Sequence, residues 1–272
     1  PPKYTQKDTS KGLQKISKSI RKAIEKFAGR QMAFRPTMGM LVGASQGFLE
    51  DISGIENVDN LVMHAELRDS AKAANDNLRR ELTQLQEMWM YFSELGNPFR
   101  NFYALPDQWK NSRIGYTGSW ANMQTSKIAR FLVAPVGWES EIMTTDTAPG
   151  KGQTSLKNFK LRIMEGLGAK TDSQADSETL KKWKSTIEAP HIVEAVEHLR
   201  AVVGMPMDQQ KLSQEAETAI ANAVKKIGSN LHGFEALVAL AQWKNAQAAK
   251  QPSFKATVTV EVDGKTNGPM LS

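Results

Sequence analysis

Residues 254–271 read FKATVTVEVDGKTNGPML, and here the helical texture of the chain gives way to strict alternation of period two. Phe254, Ala256, Val258, Val260 and Val262 share one parity, while Lys255, Thr257, Thr259, Glu261 and Asp263 share the other. Successive side chains of a strand point to opposite faces, so this segment buries an apolar face and holds Asp263 on the polar one. A strand cannot stand alone, because its backbone N–H and C=O groups need neighbours. The rest of the chain is α-rich, with too few strands to complete a sheet unaided. The last strand must therefore pair with short internal strands or with another chain.

The helical part is read from its periodicity. Residues 10–34 fit an amphipathic helix, with Leu13, Ile16, Ile20, Ala23, Ile24 and Phe27 as the apolar stripe. Lys11, Lys15, Lys18, Lys22 and Lys26 repeat at three or four on another face. Residues 36–95 read as mainly helical, closing with a long segment over 71–95 that Gly96-Asn97-Pro98 ends. Aromatics, Pro106 and short apolar pieces give 99–118 the texture of loops or short strands. Helical pattern returns at 126–133, followed by a Pro/Gly/Thr-rich connector over 135–154. Further helices are expected at 155–168, 178–188, 190–203, 209–228 and 231–249, with a surface loop over 169–178. The fold class expected is mainly α with a small β component.

Composition removes several chemistries. The chain has no cysteine, which excludes disulfides, thiolate metal sites and a cysteine nucleophile. His64, His191, His198 and His232 are scattered, and no carboxylate-rich motif accompanies them, so they read as structural or surface residues. No apolar run is long enough to cross a membrane, and the first 35 residues are basic without an apolar core of the signal-peptide kind. A soluble protein of a reducing compartment is expected. Charge is uneven. Residues 1–35 carry ten Lys and Arg against Asp8 and Glu25, a net +8, which leaves −2 for the remainder of a chain whose total is +6. A basic arm on a near-neutral body points to a polyanionic partner. The lysine stripe could track phosphates or be a solvated face, and periodicity does not decide between them.

Asp263 carries the candidate chemistry. A carboxylate at a strand end beside an accessible carbonyl suits a hard divalent cation, which takes oxygen ligands. Gly264 and Gly268 let the backbone turn sharply and approach a ligand without Cβ atoms in the way. Asp-Gly is also a common turn dipeptide, so a solvent-exposed hairpin turn is the competing reading.

The segment DGKTNG resembles motif A of the phage-type single-subunit RNA polymerases, where D-G-x-x-x-G follows the first palm strand. The helix ending Leu240-Ala241-Gln242-Trp243 and the approach through Pro252 resemble that family's lead-in. The resemblance implies that Asp263 is the first catalytic metal-binding aspartate and the Gly264 carbonyl a second contact, in a site for two Mg²⁺ ions. Pro269, Met270 and Leu271 stand where the family usually has a Gln-His pair. Upstream, residues 109–132 read WKNSRIGYTGSWANMQTSKIARFL and resemble the family's (D/T)xxGR element. Arg113 takes the arginine position, with Asn122, Gln124 and Lys127 as the polar positions that follow. Trp109 replaces the Asp or Thr, and Ser112 the glycine. The family uses this element to contact the template and the RNA–DNA hybrid, a role suited to a guanidinium that grips phosphate with two donors. Trp109, Trp120, Tyr103 and Tyr116 cluster in the same region; they read as packing for a loop-rich core rather than as a platform for stacked bases.

Two-metal phosphoryl transfer needs a second carboxylate near the first. In the family that aspartate lies on a later palm hairpin, beyond a fingers helix bearing Lys and Tyr, and neither fits after Asp263. The expectation is the smaller, N-terminal subunit of a heterodimeric bacteriophage RNA polymerase, active only with a second chain that carries the fingers and the second aspartate. DNA template, RNA product and ribonucleoside triphosphates would be its other partners, in the cytoplasm of the infected host, with no membrane involved. The expected organisation is a helical N-terminal domain with the basic arm over 1–98, a helical palm-supporting region over 99–250, and the palm strand with motif A over 251–272. Lys11, Lys15, Lys18 and Lys22 join the nucleic-acid candidates. The alternative is a non-enzymatic, basic, helical nucleic-acid-binding protein whose DGKTNG is only a turn.

Overall fold

The computed structural model describes residues 22, 25, 26, 28–35, 39–55, 58, 65–94, 101–103, 106–108, 114–116, 126–137, 139–145, 151–169 and 176–256. Strand β1 (Gln31–Phe34) follows helical residues that include Lys22, Glu25 and Lys26. The short helices α1 (Gly39–Val42) and α2 (Gln46–Ser53) precede α3 (Ala65–Glu94), a helix of 30 residues. Strands β2 (Phe102–Tyr103), β3 (Pro106–Gln108) and β4 (Ile114–Tyr116) occupy the aromatic stretch. Helix α4 (Lys127–Leu132) runs directly into β5 (Val133–Pro135), and β6 (Ser140–Met143) lies ahead of α5 (Lys151–Gly166). Then come α6 (Asp176–Lys181), α7 (Trp183–Ile187), α8 (Pro190–Arg200), a 3-10 turn (Met207–Gln209), α9 (Gln214–Ile227), α10 (Asn230–Ala248) and β7 (Ser253–Ala256).

Helix α10 organises the core because every residue from Gly233 to Ala241 is buried, so this part of the helix is enclosed on all sides. Phe234, Leu237, Leu240 and Ala241 are fully buried. Helix α8 turns Ile192, Ala195, Val196 and Leu199 inward, a spacing of three and four that lines one face. Helix α9 does the same with Ala216, Ile220, Ala223 and Val224. On another side α5 supplies Leu156, Phe159 and Ile163. Its last residue, Gly166, passes so close that an added Cβ would stand 2.6 Å from the Ala236 Cβ and 2.9 Å from the His232 carbonyl oxygen. Phe48 of α2 and Phe131 of α4 meet the Phe234 ring at 6.1 and 5.8 Å between centroids. Each such buried Leu or Phe contributes about 2 kcal/mol. One hydrophobic cluster thus runs from Met32 in β1 to Ala256 in β7.

Side chains from distant elements hold the helix ends. Ser45 caps α2, its Oγ accepting from the Phe48 N–H at 3.2 Å. The Ser45 N–H and Oγ in turn donate to the Glu217 carboxylate of α9 at 2.8 and 2.5 Å, which satisfies a buried acid with two donors.

The described strands form small antiparallel sheets in the orders β2-β1-β5, β3-β4 and β6-β7. Three segments differ from the sequence reading. The helix expected over 10–34 does not reach 34, since Gln31–Phe34 is a strand with Met32 and Phe34 buried and their neighbours less so. Pro36 biases the residue before it away from helix, and Gly29 sits in the turn that ends the helical residues. The connector expected over 135–154 holds β6, the end of β5 and the start of α5. Such strands of three or four residues show no readable alternation; partners far along the chain specify them. The helix expected over 178–188 is divided at Lys182 into α6 and α7.

Candidate functional site

The polar positions at 122–127 lead into α4, and a residue of α3 sets how that helix begins. Ser126 is the N-cap, its Oγ accepting from the Ala129 N–H at 2.9 Å. Glu81 of α3 accepts from the Ser126 Oγ at 2.9 Å and from the Ile128 N–H at 3.2 Å. A carboxylate at a helix N-terminus meets unpaired N–H groups and the positive end of the helix dipole. It therefore pins the first turn of α4, the turn opened by Lys127, against α3. Glu81, Leu85, Met88, Ser126, Ala129 and Leu132 line a groove along this contact.

The other end of α4 rests on a buried ion pair. The Arg35 N–H donates to the Leu132 carbonyl at 2.9 Å, and the Arg35 Nη2 reaches the Arg130 carbonyl at 3.4 Å. The Arg35 guanidinium also pairs with Glu235 of α10 and lies 5.9 Å from the centre of the Phe131 ring. Both partners are almost wholly buried, which favours a planar guanidinium that can serve several acceptors at once.

Strand β7 is the described part of the alternating segment that, in sequence, ends at Asp263. Its register with β6 pairs Ser253 with Met143, Phe254 with Ile142, Lys255 with Glu141 and Ala256 with Ser140. Ala256 is buried and Lys255 exposed, as the alternation requires. The Phe254 ring packs edge-on against Phe159 at 5.5 Å; Phe159 contacts Trp243 at 6.5 Å, and Trp243 meets Trp183 at 5.6 Å. Just beyond β6, the buried Thr144 binds the segment between α10 and β7. So the start of the final strand pairs with a short internal strand, one of the two outcomes expected for it.

Asp263, Gly264, Arg113, Asn122, Gln124, Lys11, Lys15 and Lys18 lie outside the described residues. Lys22 is helical and exposed, and Lys127 is the first residue of α4. Trp109 and Trp120 also fall outside, and Tyr116 sits in β4. Tyr103 corrects the aromatic-core reading, since it is exposed. It neighbours Phe102, whose ring packs on Phe34 at 5.6 Å, and consecutive strand residues face opposite ways. Among the described residues no group of three His, Asp or Glu side chains is placed to hold a metal ion. Burial holds the His191 pKa below 6.5, and the Lys226 charge adds to the effect, consistent with a structural histidine. Sequence reasoning missed Glu81, Thr144 and the Arg35–Glu235 pair. Only the Trp243 lead-in carried a signal that pointed to any part of this framework.

Residues 19–133 match the family model described as a virion DNA-directed RNA polymerase domain. The match supports the phage-type RNA polymerase family. A DNA-directed RNA polymerase component is what such a domain suggests, one that works on a nucleic-acid template with nucleoside triphosphates as substrates. Neither the curated proteins nor the solved structures gave a match. The matched stretch includes the polymerase-like element around Arg113 and stops well short of Asp263. It covers β1, α1 to α4, the strands between them and the first residue of β5. No helix among the described residues is long and apolar enough to cross a membrane.

Proposed function

We propose that this chain is the subunit of a DNA-directed RNA polymerase that contributes the motif A aspartate and the template and hybrid contacts to a nucleotidyl-transfer site completed by a second chain. The observation that carries the reading is the family match over residues 19–133, which spans Arg113, Asn122, Gln124 and Lys127. A further support is internal. The first residues of the alternating segment, Ser253–Ala256, pair with β6, as a strand needs.

The Asp263 carboxylate and the Gly264 carbonyl are hard oxygen donors of the kind Mg²⁺ takes, with an aspartate of the partner chain completing the set. Bound there, a pair of Mg²⁺ ions supplies acidification of the RNA 3′-hydroxyl and neutralisation of the triphosphate. Arg113 grips a backbone phosphate of the template or hybrid, with Asn122, Gln124 and Lys127 beside it. The lysines of the arm (Lys11, Lys15, Lys18 and Lys22) hold nucleic acid by charge alone, a term that fades as salt rises.

The test is Mg²⁺-dependent ribonucleotide incorporation by the chain purified with its native partner, on single- and double-stranded templates. Asp263→Ala is expected to abolish synthesis while leaving subunit association intact. Near-normal synthesis by that variant overturns the site and favours the non-enzymatic alternative. Arg113→Ala is expected to lower activity less completely, with the loss growing as salt is raised; transcription unchanged at high salt removes Arg113 from the site.

A further inference from the structure

We propose that the outward face of the β2-β1-β5 sheet is a stacking platform for unpaired bases of a DNA strand, with Tyr103 as the residue that takes the base. The proposal rests on the reading of the chain as a polymerase subunit, but not on Asp263 or Arg113.

The register fixes the face. Gln31 of β1 lies opposite Tyr103 of β2, and Ala33 of β1 lies opposite Ala134 of β5. Val136 continues that register one step past β5, its N–H donating to the Gln31 carbonyl at 2.9 Å. Directly opposed residues of antiparallel strands point to the same side. Tyr103, Gln31 and Val136 therefore form one row across the sheet, with Ala33 and Ala134 beside it. The alternate residues Met32, Phe34 and Val133 are buried, which turns the row outward. Tyr103 is 37% exposed and Val136 46%, while Gln31, Ala33 and Ala134 are half-buried.

The chemistry of this face selects its occupant. Strands β1, β2 and β5 contain no charged residue, so the face binds by flat contact rather than by ion pairing. Phe102 packs on Phe34, but among the described residues no ring meets Tyr103 and no hydrogen bond ties its hydroxyl. An aromatic ring held on a strand and open to solvent stacks a base whatever its identity. Strands lie about 4.8 Å apart, so the row spans about 10 Å, wide enough for a base laid flat. Gln31 in its middle offers an amide donor and acceptor to a base edge. Charge enters from one end. Lys22 and Lys26 are helical and exposed, and Gln31 begins β1 soon after the helical residues end at Ala28. The five residues from Lys26 to Gln31 can span at most about 18 Å, which keeps this cation near the row. Cations for the phosphates beside an aromatic face are the combination that holds a single strand. A duplex keeps its bases stacked on one another and gains only the charge part. The alanines favour DNA over RNA, because a 2′-hydroxyl pressed on their methyl groups loses its water without gaining a partner.

The protein assembled with its partner chain is titrated with a fluorescent mixed-sequence DNA strand, the same strand made abasic, its RNA counterpart and its duplex. The parental assembly is expected to bind the DNA strand about fivefold or more tighter than the abasic one. Tyr103→Ala should lose most of that preference while keeping the slope of affinity against salt, and Tyr103→Phe, which retains the ring, should restore it. Lys22→Ala combined with Lys26→Ala should do the reverse, lowering the salt slope and keeping the preference. Ala134→Glu, which sets a carboxylate on the same face, should weaken the DNA strand by a similar factor of about five. An undiminished preference in Tyr103→Ala overturns the proposal, and so does parental affinity in Ala134→Glu. RNA bound as tightly as DNA overturns the assignment to a DNA strand. Lost assembly with the second chain in Tyr103→Ala, beside an intact preference, makes the face a subunit interface instead. A parental assembly that binds no strand overturns the polymerase reading itself, whereas one that binds DNA but is blind to Tyr103 overturns the platform alone.

Discussion

Glu235 is a carboxylate within the buried stretch of α10, and Arg35 is the cation that makes its burial tolerable. Stripping water from either ion costs several kcal/mol, and their mutual attraction offsets that cost only while both are present. Glu235→Leu is therefore expected to destabilise the chain by about 3–5 kcal/mol, because it leaves Arg35 buried without its counter-charge. Combining it with Arg35→Met should recover most of the loss. Denaturant unfolding of the two variants checks this, and a Glu235→Leu chain as stable as the double variant would count against it. Neither partner was legible as a pair. In the sequence they stand 200 positions apart, and an acid within a helix ordinarily reads as a surface residue. Asp263 is the opposite case, a residue whose chemistry was read entirely from its local pattern and its family resemblance.

Helices often end where the backbone turns left-handed, and the ends of α5 and α10 do so with different residues. After α5, Gly168 takes φ +88° and lets the Ala169 N–H reach the Met164 carbonyl at 2.9 Å. After α10, Lys250 takes φ +54° in the same two-bond arrangement, although a side chain there crowds the neighbouring carbonyl. Lys250→Gly relieves that strain and gains more backbone freedom in the unfolded chain, for a net stabilisation of about 0.5–1 kcal/mol. An unchanged or lowered denaturation midpoint would show that the lysine carries a compensating contact. Long helices were readable because their apolar residues recur at three and four: α8, α9 and α10 lie within a few residues of their expected bounds. The short strands were not. Three or four residues carry too little alternation, and β1 was absorbed into a neighbouring helical stripe although Gly29 and Pro36 bracket it.

Across the molecule, α2 and β1 share one hydrophobic cluster with α8, α9 and α10. The Ser45–Glu217 and Arg35–Glu235 contacts join the same two ends of the chain. Elements within 31–55 are thus expected to unfold with those of 190–248 in one transition. Far-UV dichroism and the fluorescence of Trp183 and Trp243 should give coincident curves, and two separated transitions would instead favour independent domains over 1–98 and 99–250. Class and helical content were legible because composition and periodicity act locally. The closure of the cluster was not, since it depends on pairs far apart in sequence. Thr144 and Gln251 bond across 107 residues, so the partner of the one does not exist when the other leaves the ribosome. At roughly 5–20 residues per second the wait lasts about 5–20 s. During that interval Ser140–Met143 is an unpaired edge, and the nascent chain depends on something else to keep that edge from its neighbours.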